Sequence, residues 1–254
     1  MAEAGHVFLA RMGKTTLRPG GIDATAWLIA QAGLKPDTRI LEVACNMGRT
    51  MIALSERFGC AITGVDRDPD ALAHARRNIT KRHLEDRLTL VEGDATALPF
   101  ADASFDIVVN EAMLTMLVGG GKEAALAEYF RVLRPGGLLL THDVVLFTDD
   151  ADEQLALRAG LSRAINVHVE PFNQTGWRDL FTRSGFDVRQ KVGPMTLMRP
   201  SGMIHDEGLG RTLKIIRNAR KKENRPMFRK MFTYFNAHKA QLGYIANVSR
   251  KPDA

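Results

Sequence analysis

The sequence predicts an α/β fold on a mostly parallel sheet covered on both faces, and three observations predict it. Apolar runs of strand length alternate with amphipathic stretches of helix length from about residue 21 to residue 141, as in stacked strand–helix–strand units. The first such strand runs into a tight turn of small residues that opens a helix. Acids then follow the next two strands, where an open α/β sheet collects its ligands. At 254 residues the chain suits one large domain with room for an insertion.

The elements follow in order. A first helix spans about Gly21 to Ala32 and is ended by Gly33 ahead of the Pro36 turn. Strand one is Arg39 to Val43, and the helix after it Thr50 to Phe58. Strand two is Ala61 to Val65. Asp68, Pro69 and Asp70 then supply an N-cap, a first-turn proline and an acid favoured by the helix dipole. Strand three is Leu88 to Val91 and strand four Phe105 to Asn110. The helix Lys122 to Leu133 is stopped by Arg134-Pro135-Gly136-Gly137, and strand five is Leu138 to Thr141. Beyond that the alternation loosens. Thr175 to Ser184 is a helix ended by Gly185, Phe186 to Val192 strand six, and Tyr244 to Val248 strand seven.

Between strands six and seven lies an excursion, residues 195–243, too long for an ordinary loop. At about 100° per residue, Leu209, Leu213, Ile216 and Ala219 share one face of its first helical segment, opposite Arg211, Lys214, Arg217 and Lys221. In the second segment Phe228, Met231, Phe232 and Phe235 follow helical spacing.

Composition narrows the function. Hydrophobic content of 45% and charged content of 25% are those of an ordinary globular chain. No apolar run approaches the roughly 18 residues of a membrane span, and Arg11 and Lys14 interrupt the apolar N-terminus. Cys45 and Cys60 fit no zinc spacing or disulfide framework, so no metal site is expected and the cytoplasm is the expected compartment. The net charge is +6, but residues 211–230 hold nine Lys or Arg against Glu223 alone. That segment carries +8, which leaves −2 for the rest. A near-neutral body with one basic helix argues only weakly for nucleic acid.

The informative segment is Ile40 to Thr50. A small-residue turn between a strand and a helix lets backbone N–H groups approach a ligand, with the helix dipole favouring negative charge. Asp66 closes strand two, 18 residues after Gly48, where an acid can accept both hydrogen bonds of a ribose diol. Asp94 follows strand three and can accept from an adenine amine. Three turns from three consecutive strands describe an adenosine crevice.

On these residues the chain resembles the class I S-adenosylmethionine-dependent methyltransferase family over nearly its whole length. LEVACNMG (41–48) corresponds to the family's glycine-rich first motif and GVDRDPDALAHAR (64–76) to its ribose segment. EGDATALPFADASFDIVV (92–109) resembles the adenine loop and fourth strand. RVLRPGGLLL (131–140) resembles the lead into strand five, and GWRDLFTRSGFDV (176–188) a late helix–strand unit. The resemblance implies a Rossmann-like seven-stranded sheet, order 3-2-1-4-5-7-6 with strand seven antiparallel, in a single domain over 1–254. It implies that residues 1–33 form an N-terminal cover with Arg18 to Gly21 near the methionine end, and that 195–243 is placed as a substrate lid. S-adenosyl-L-methionine is the implied cofactor, held by Glu42, Ala44, Cys45, Asn46, Gly48, Asp66, Arg67, Gly93, Asp94, Ala95 and Asn110. Glu42 is implied to lie near the methionine amine, and Arg67 to pack on adenine.

The chain departs from the family where glycine is usual and Ala44 and Asn46 stand. Alanine suits that turn if its φ is negative, and asparagine tolerates left-handed backbone. Asp68 is expected as a helix cap and Cys45 as a small turn residue rather than a nucleophile.

Methyl transfer from a sulfonium is an in-line displacement driven by alignment and desolvation. A base is needed only for an acceptor that arrives protonated. Glu111 and His142 are the leading candidates because they follow core strands. Asn110, Asp143, His168, Glu170, Asn173 and Gln174 are further ones. Asn110-Glu111-Ala112-Met113 is not the Asn-Pro-Pro-Tyr type of motif associated with nucleobase or glutamine amines. Met113, Met116, Met195, Met198, Phe228, Met231 and Phe232 can line an apolar pocket, or be plain core. The favoured partner is a small organic acceptor at N, O or S. Two alternatives stand beside it: an RNA methyltransferase using the basic helix 209–222, and a non-catalytic protein that binds adenosylmethionine for regulation. The oligomeric state is not legible in the sequence.

Overall fold

A computed structural model describes residues 3–253. The strands are β1 Arg39–Val43, β2 Ala61–Asp66, β3 Leu88–Glu92, β4 Phe105–Glu111, β5 Leu133–Leu146, β6 Phe172–Asn173, β7 Asp187–Pro194 and β8 Leu242–Arg250. They form one sheet in the order β3-β2-β1-β4-β5-β8-β7, with the two-residue β6 paired to the end of β5. β6 shifts the numbering, so the sixth and seventh strands expected from the sequence are β7 and β8. β8 runs antiparallel to both β5 and β7, and the other pairings are parallel. The sheet order expected from the resemblance is the one observed.

Strand five is longer than its apolar run. β8 pairs with it from Leu138↔Arg250 to Leu146↔Leu242, which extends β5 well past Thr141. The Arg134-Pro135-Gly136-Gly137 stretch, expected as a helix stop, lies inside β5. It is absorbed there by a register shift against β4 between Phe105 and Ile107.

Successive strand residues point to opposite faces of the sheet. Ile40, Ile62 and Ile107 pack under α2 (Gly21–Gln31), α3 (Arg49–Phe58) and α4 (Pro69–Thr80). Leu41, Val65 and Val108 pack under α5 (Gly121–Val132) and α7 (Gln174–Arg183). The expected cap is in place, since Asp68 accepts from the N–H groups of Asp70 and Ala71 at 2.9 and 3.3 Å.

A third core holds Phe8, Leu161, Ile215, Met231 and Phe235 together with Leu146 and Leu242 from the paired ends of β5 and β8. It joins α1 (Gly5–Met12), α6 (Ala151–Ile165), α8 (Pro200–Ala219) and α9 (Arg225–Ala237). Neither α1 nor α6 is foreseen in the sequence. The apolar face expected for α8 holds at Ala219, which is buried, but not at Leu209 and Leu213, which are 62% and 57% exposed; Thr212 and Ile215 are buried in their place. Gly208 breaks that helix with φ 75° and ψ 161°, and Thr212 Oγ1 donates back to the Gly208 and Met203 carbonyls. The docking face is therefore set by a kink and by tertiary contact rather than by the most apolar positions. No helix among the described residues is long and apolar enough to cross a membrane.

Candidate active site

The carboxyl ends of β1 to β4 and the segment before α2 enclose a cavity of about 390 Å³. Its floor is the turn after β1. Ala44, Asn46 and Gly48 all have positive φ, 59°, 49° and 73°. Asn46 meets its expectation. Ala44 corrects one, because its φ is not negative and the turn holds an alanine in left-handed backbone at a cost of about 1 kcal/mol. The turn is held by Cys45 N–H donating to the Val65 carbonyl at 3.0 Å and Gly48 N–H to Cys45 at 2.9 Å. Gly48 needs its glycine twice over, since a Cβ there would also sit 3.3 Å from Ala75 Cβ. Cys45 is buried, and burial pushes its thiol far above the usual range, as suits a turn residue rather than a nucleophile.

At one end of the cavity the acids are open to solvent and tied locally. Asp66 Oδ2 accepts from Asn46 N–H at 2.8 Å and Oδ1 from Asp68 N–H at 3.0 Å. Each oxygen keeps a lone pair, so the carboxylate is fixed in direction yet able to accept a diol. Asp94 Oδ1 accepts from the hydroxyl and N–H of Thr96 at 2.7 and 2.8 Å. Those bonds hold its carboxyl below the usual value and leave the second oxygen uncommitted. Gly93, Ala95 and Arg67 complete this wall.

At the other end the acids are buried and tied over long range. Arg18 Nη1 lies 2.9 Å from Glu111 Oε2 and donates to Thr25 Oγ1 at 2.7 Å, while Nη2 donates to Thr50 Oγ1. Burial pushes the Glu111 carboxyl up, but Arg18, His142 and Thr25 outweigh it and hold the pKa down to about 2. Glu42 goes the opposite way. Burial, with Glu111 adding, raises it to about 8 against the pull of Arg18, and its Oε2 has no partner among the described residues. One buried acid is thus charged and its neighbour is neutral at pH 7.

The remaining candidates separate by placement. Glu111 lies on the cavity wall. His142, expected to face the acceptor, is fully buried, with Nε2 accepting from Gly20 N–H at 2.9 Å and Nδ1 3.2 Å from Glu111 Oε1. Burial lowers its pKa, so the ring is neutral with the proton on Nδ1 and no lone pair to spare. Asn110 is also fully buried, off the wall, and donates to the Val43 carbonyl at 3.0 Å. His168 is 70% exposed beside Glu170, and Asn173 caps α7 through Gly176 N–H.

Sequence reasoning missed the cap's wiring. Glu207 accepts from the N–H groups of Thr15 and Thr16 at 2.8 and 2.7 Å. It also lies 3.7 Å from Lys14, both side chains being fully buried. Asp206 accepts from Ile22 N–H at 3.0 Å. Arg211 lies on the exposed face as expected, and from there donates to Thr15 Oγ1 and pairs with Glu207. Apart from the Glu207–Arg211 pair, one turn apart on α8, these contacts span nearly two hundred residues and leave no local pattern.

A second cavity of about 80 Å³ adjoins the first and shares His6, Leu17, Ala112 and Met116 with it. Its other walls are chiefly aliphatic and methionine side chains, among them Leu161, Ile165, Met195 and Met231. Of the expected pocket methionines, Met116, Met195 and Met231 reach it and Met113 lines the larger cavity. Met198 and Phe232 border a third space beside α9.

Comparison with known proteins agrees with this geometry. A family model described as a methyltransferase domain matches residues 40–137. The chain is 54% identical over 250 residues to an uncharacterized protein of Haemophilus influenzae, covering 98% of each. It is 29% identical over 141 residues to the sterol 24-C-methyltransferase erg6 of Schizosaccharomyces pombe, covering 56% of this chain and 36% of that one. In fold it is similar to a geranyl diphosphate methyltransferase solved in complex with SAM, at TM-score 0.66 and 14% identity, over 91% of this chain and 84% of that one.

Proposed function

This chain belongs to the class I S-adenosylmethionine-dependent methyltransferase family, and from that premise we propose that it methylates a small, largely apolar molecule held beside the methionine end of the cofactor. The observation that carries the acceptor class is the aliphatic cavity opening off the larger one where Glu42, Glu111 and Arg18 gather.

The residues present suit adenosylmethionine. Asp66 and Asp94 keep acceptor oxygens for the ribose diol and the adenine amine. Glu42 has an unpartnered oxygen for the methionine ammonium, a buried acid waiting for a cation. The cofactor supplies an activated methyl on a sulfonium, and the chain supplies direction and dryness. Arg18, Glu111 and His142 act as a positioning group: His142 fixes Gly20, and Arg18 joins the segment before α2 to β4 and α3. Residues 195–243 act as a lid through Asp206 and Glu207, which grip residues 15–22. The sterol named for one relative favours an apolar acceptor and extends the acceptor atom to carbon.

Calorimetry with adenosylhomocysteine tests the reading. Asp66→Ala loses two charge-assisted hydrogen bonds to the diol and is expected to weaken binding about 100-fold. An unchanged affinity removes Asp66 from the site, and no binding by the parent protein removes the reading.

A further inference from the structure

Resting on that reading, we propose that His6 is the proton-accepting catalytic residue for an acceptor that fills the apolar cavity, is held there through Asp143, and is a phenol or thiol. His6 is the one titratable side chain among the described residues that borders both cavities. It therefore stands where a methyl group leaves one space for the other. Its Nδ1 is buried without a hydrogen-bond partner among the described residues, and burial lowers its pKa, so the ring offers a lone pair at neutral pH. His142 has no such lone pair free, and Glu111, paired with Arg18 and held at a pKa of about 2, is too weak a base to take the proton. The helix that carries His6 cannot shift easily. Gly5 packs so closely that a Cβ there would meet Ile165 Cβ at 2.9 Å, and Phe8 and Leu9 are buried in the third core.

Asp143, on β5, is the other polar group of the smaller cavity that asks for a partner. It is 1% exposed. Its Oδ1 accepts from Thr115 N–H at 3.0 Å and from the Thr115 hydroxyl at 2.7 Å, while Oδ2 has no partner among the described residues. Burial raises this carboxyl to about 7. An acceptor that places a hydrogen-bonding group there satisfies an oxygen that is otherwise buried in vain. The charged side chains lining the larger cavity are Arg18, Glu42, Arg49, Asp66, Arg67, Asp68, Asp94 and Glu111, that of the smaller is Asp143, and Lys122 and Glu111 act on Asp143 with opposite sign.

The acidity of the acceptor follows from the base. Neutral imidazole, at or below about 6.5, can draw a proton from a phenol near 10 or a thiol near 8.5. A hydroxyl as weakly acidic as water, about 15.7, asks several units more of the same base, so phenols and thiols are the acceptors it favours. In the step, the O–H or S–H proton passes to His6 Nδ1 and the acceptor's freed pair forms the bond to the methyl carbon. The methyl–sulfur bond breaks with its electron pair going to sulfur. The positive charge that leaves sulfur reappears on the imidazolium, so the enclosed site keeps its net charge.

p-Cresol and thiophenol are the probes. With S-adenosylmethionine and acceptor saturating, so that the titration of Glu42 in binding does not enter, the parent protein is expected to methylate at least one of them, with a p-cresol rate flat from pH 7 to 9. His6→Gln is expected to lower the rate at pH 7 by about 100-fold. Its rate should then climb tenfold per pH unit, because only the pre-ionised phenolate reacts. A third probe, 4-hydroxybenzyl alcohol, adds a second hydroxyl that can reach Asp143 Oδ2: Asp143→Asn is expected to raise its KM about tenfold, to leave the KM of p-cresol unchanged and to keep the flat profile. Apart from turnover, the His6 ring resonance in the adenosylhomocysteine complex should move when p-cresol is added. A His6→Gln or His6→Asn protein with the parent's profile overturns the assignment of the base. A parent that binds adenosylhomocysteine yet shows neither methylation of a probe nor a His6 shift overturns the acceptor class and leaves the cofactor reading standing. A parent that binds no adenosylhomocysteine overturns both.

Discussion

The two ends of the larger cavity hold carboxylates under opposite conditions. Asp66 and Asp94 are reached by solvent, and each is fixed by backbone N–H groups of its own or a neighbouring turn. Glu42 and Glu111 are buried, and their pKa values are driven apart to about 8 and about 2. An acid in water needs only direction, and local turns supply it. An acid out of water needs a cation or a proton, and the fold must fetch one from far along the chain. Glu111 receives Arg18, and Glu42 keeps its proton.

Removing the fetched cation is the largest break in this contrast. Arg18→Ala leaves Glu111 buried without its counter-charge and is expected to cost about 3 kcal/mol of stability by chemical denaturation. Arg18→Met combined with Glu111→Leu should recover most of that loss, because the uncompensated charge is gone. A single variant as stable as the parent breaks the contrast.

The next effect sharpens it through protons. Below about pH 8 the free protein carries Glu42 protonated. An ammonium beside it favours the ionised form, so adenosylhomocysteine binding at pH 7 should release close to one proton. Affinity should then rise with pH, by up to about tenfold per unit, until pH 8. Calorimetry in buffers of different ionisation enthalpy reads the release directly, and Glu42→Gln should abolish it. In the unbound protein the sign for stability is the reverse. Glu42 has a folded pKa above its unfolded one, so its contribution declines as pH rises from about 4.5 to 8. Glu111, held low, contributes above about 4.5 and loses that contribution as pH falls towards 2.

The smallest effect lies in the turn. Ala44→Gly should relieve left-handed backbone and raise the unfolding free energy by about 1 kcal/mol, with adenosylhomocysteine affinity changed little. A loss of stability would mean that the alanine methyl packs better than its φ of 59° suggests.

The same contrast explains what was legible in the sequence. Turn chemistry, caps and strand-end acids act over a few residues. The Asp68 cap, the Gly48 turn and the places of Asp66 and Asp94 could therefore be read from spacing, and the family resemblance supplied the sheet order. Ala44 was misjudged because a sequence does not print φ. His142 was misplaced because following a core strand says nothing about which partner closes over it; here Gly20 occupies Nε2. α6 left a signal that went unread, with Asp150 capping it through Glu153 N–H and Leu157, Leu161 and Ala164 buried at helical spacing. The Lys14–Glu207 pair left none, because such pairing exists only once the chain has folded.

The placement of β8 bears on how the molecule is made. β8 follows both β5 and β7 in the chain yet lies between them in the sheet, so until residues 242–250 emerge from the ribosome β5 presents an open edge and β7 has no neighbour. Nascent chains of this protein therefore pass through a sticky stage that ends only when β8 is made. A chain cut before Leu242 would yield an aggregate rather than a slightly shorter enzyme.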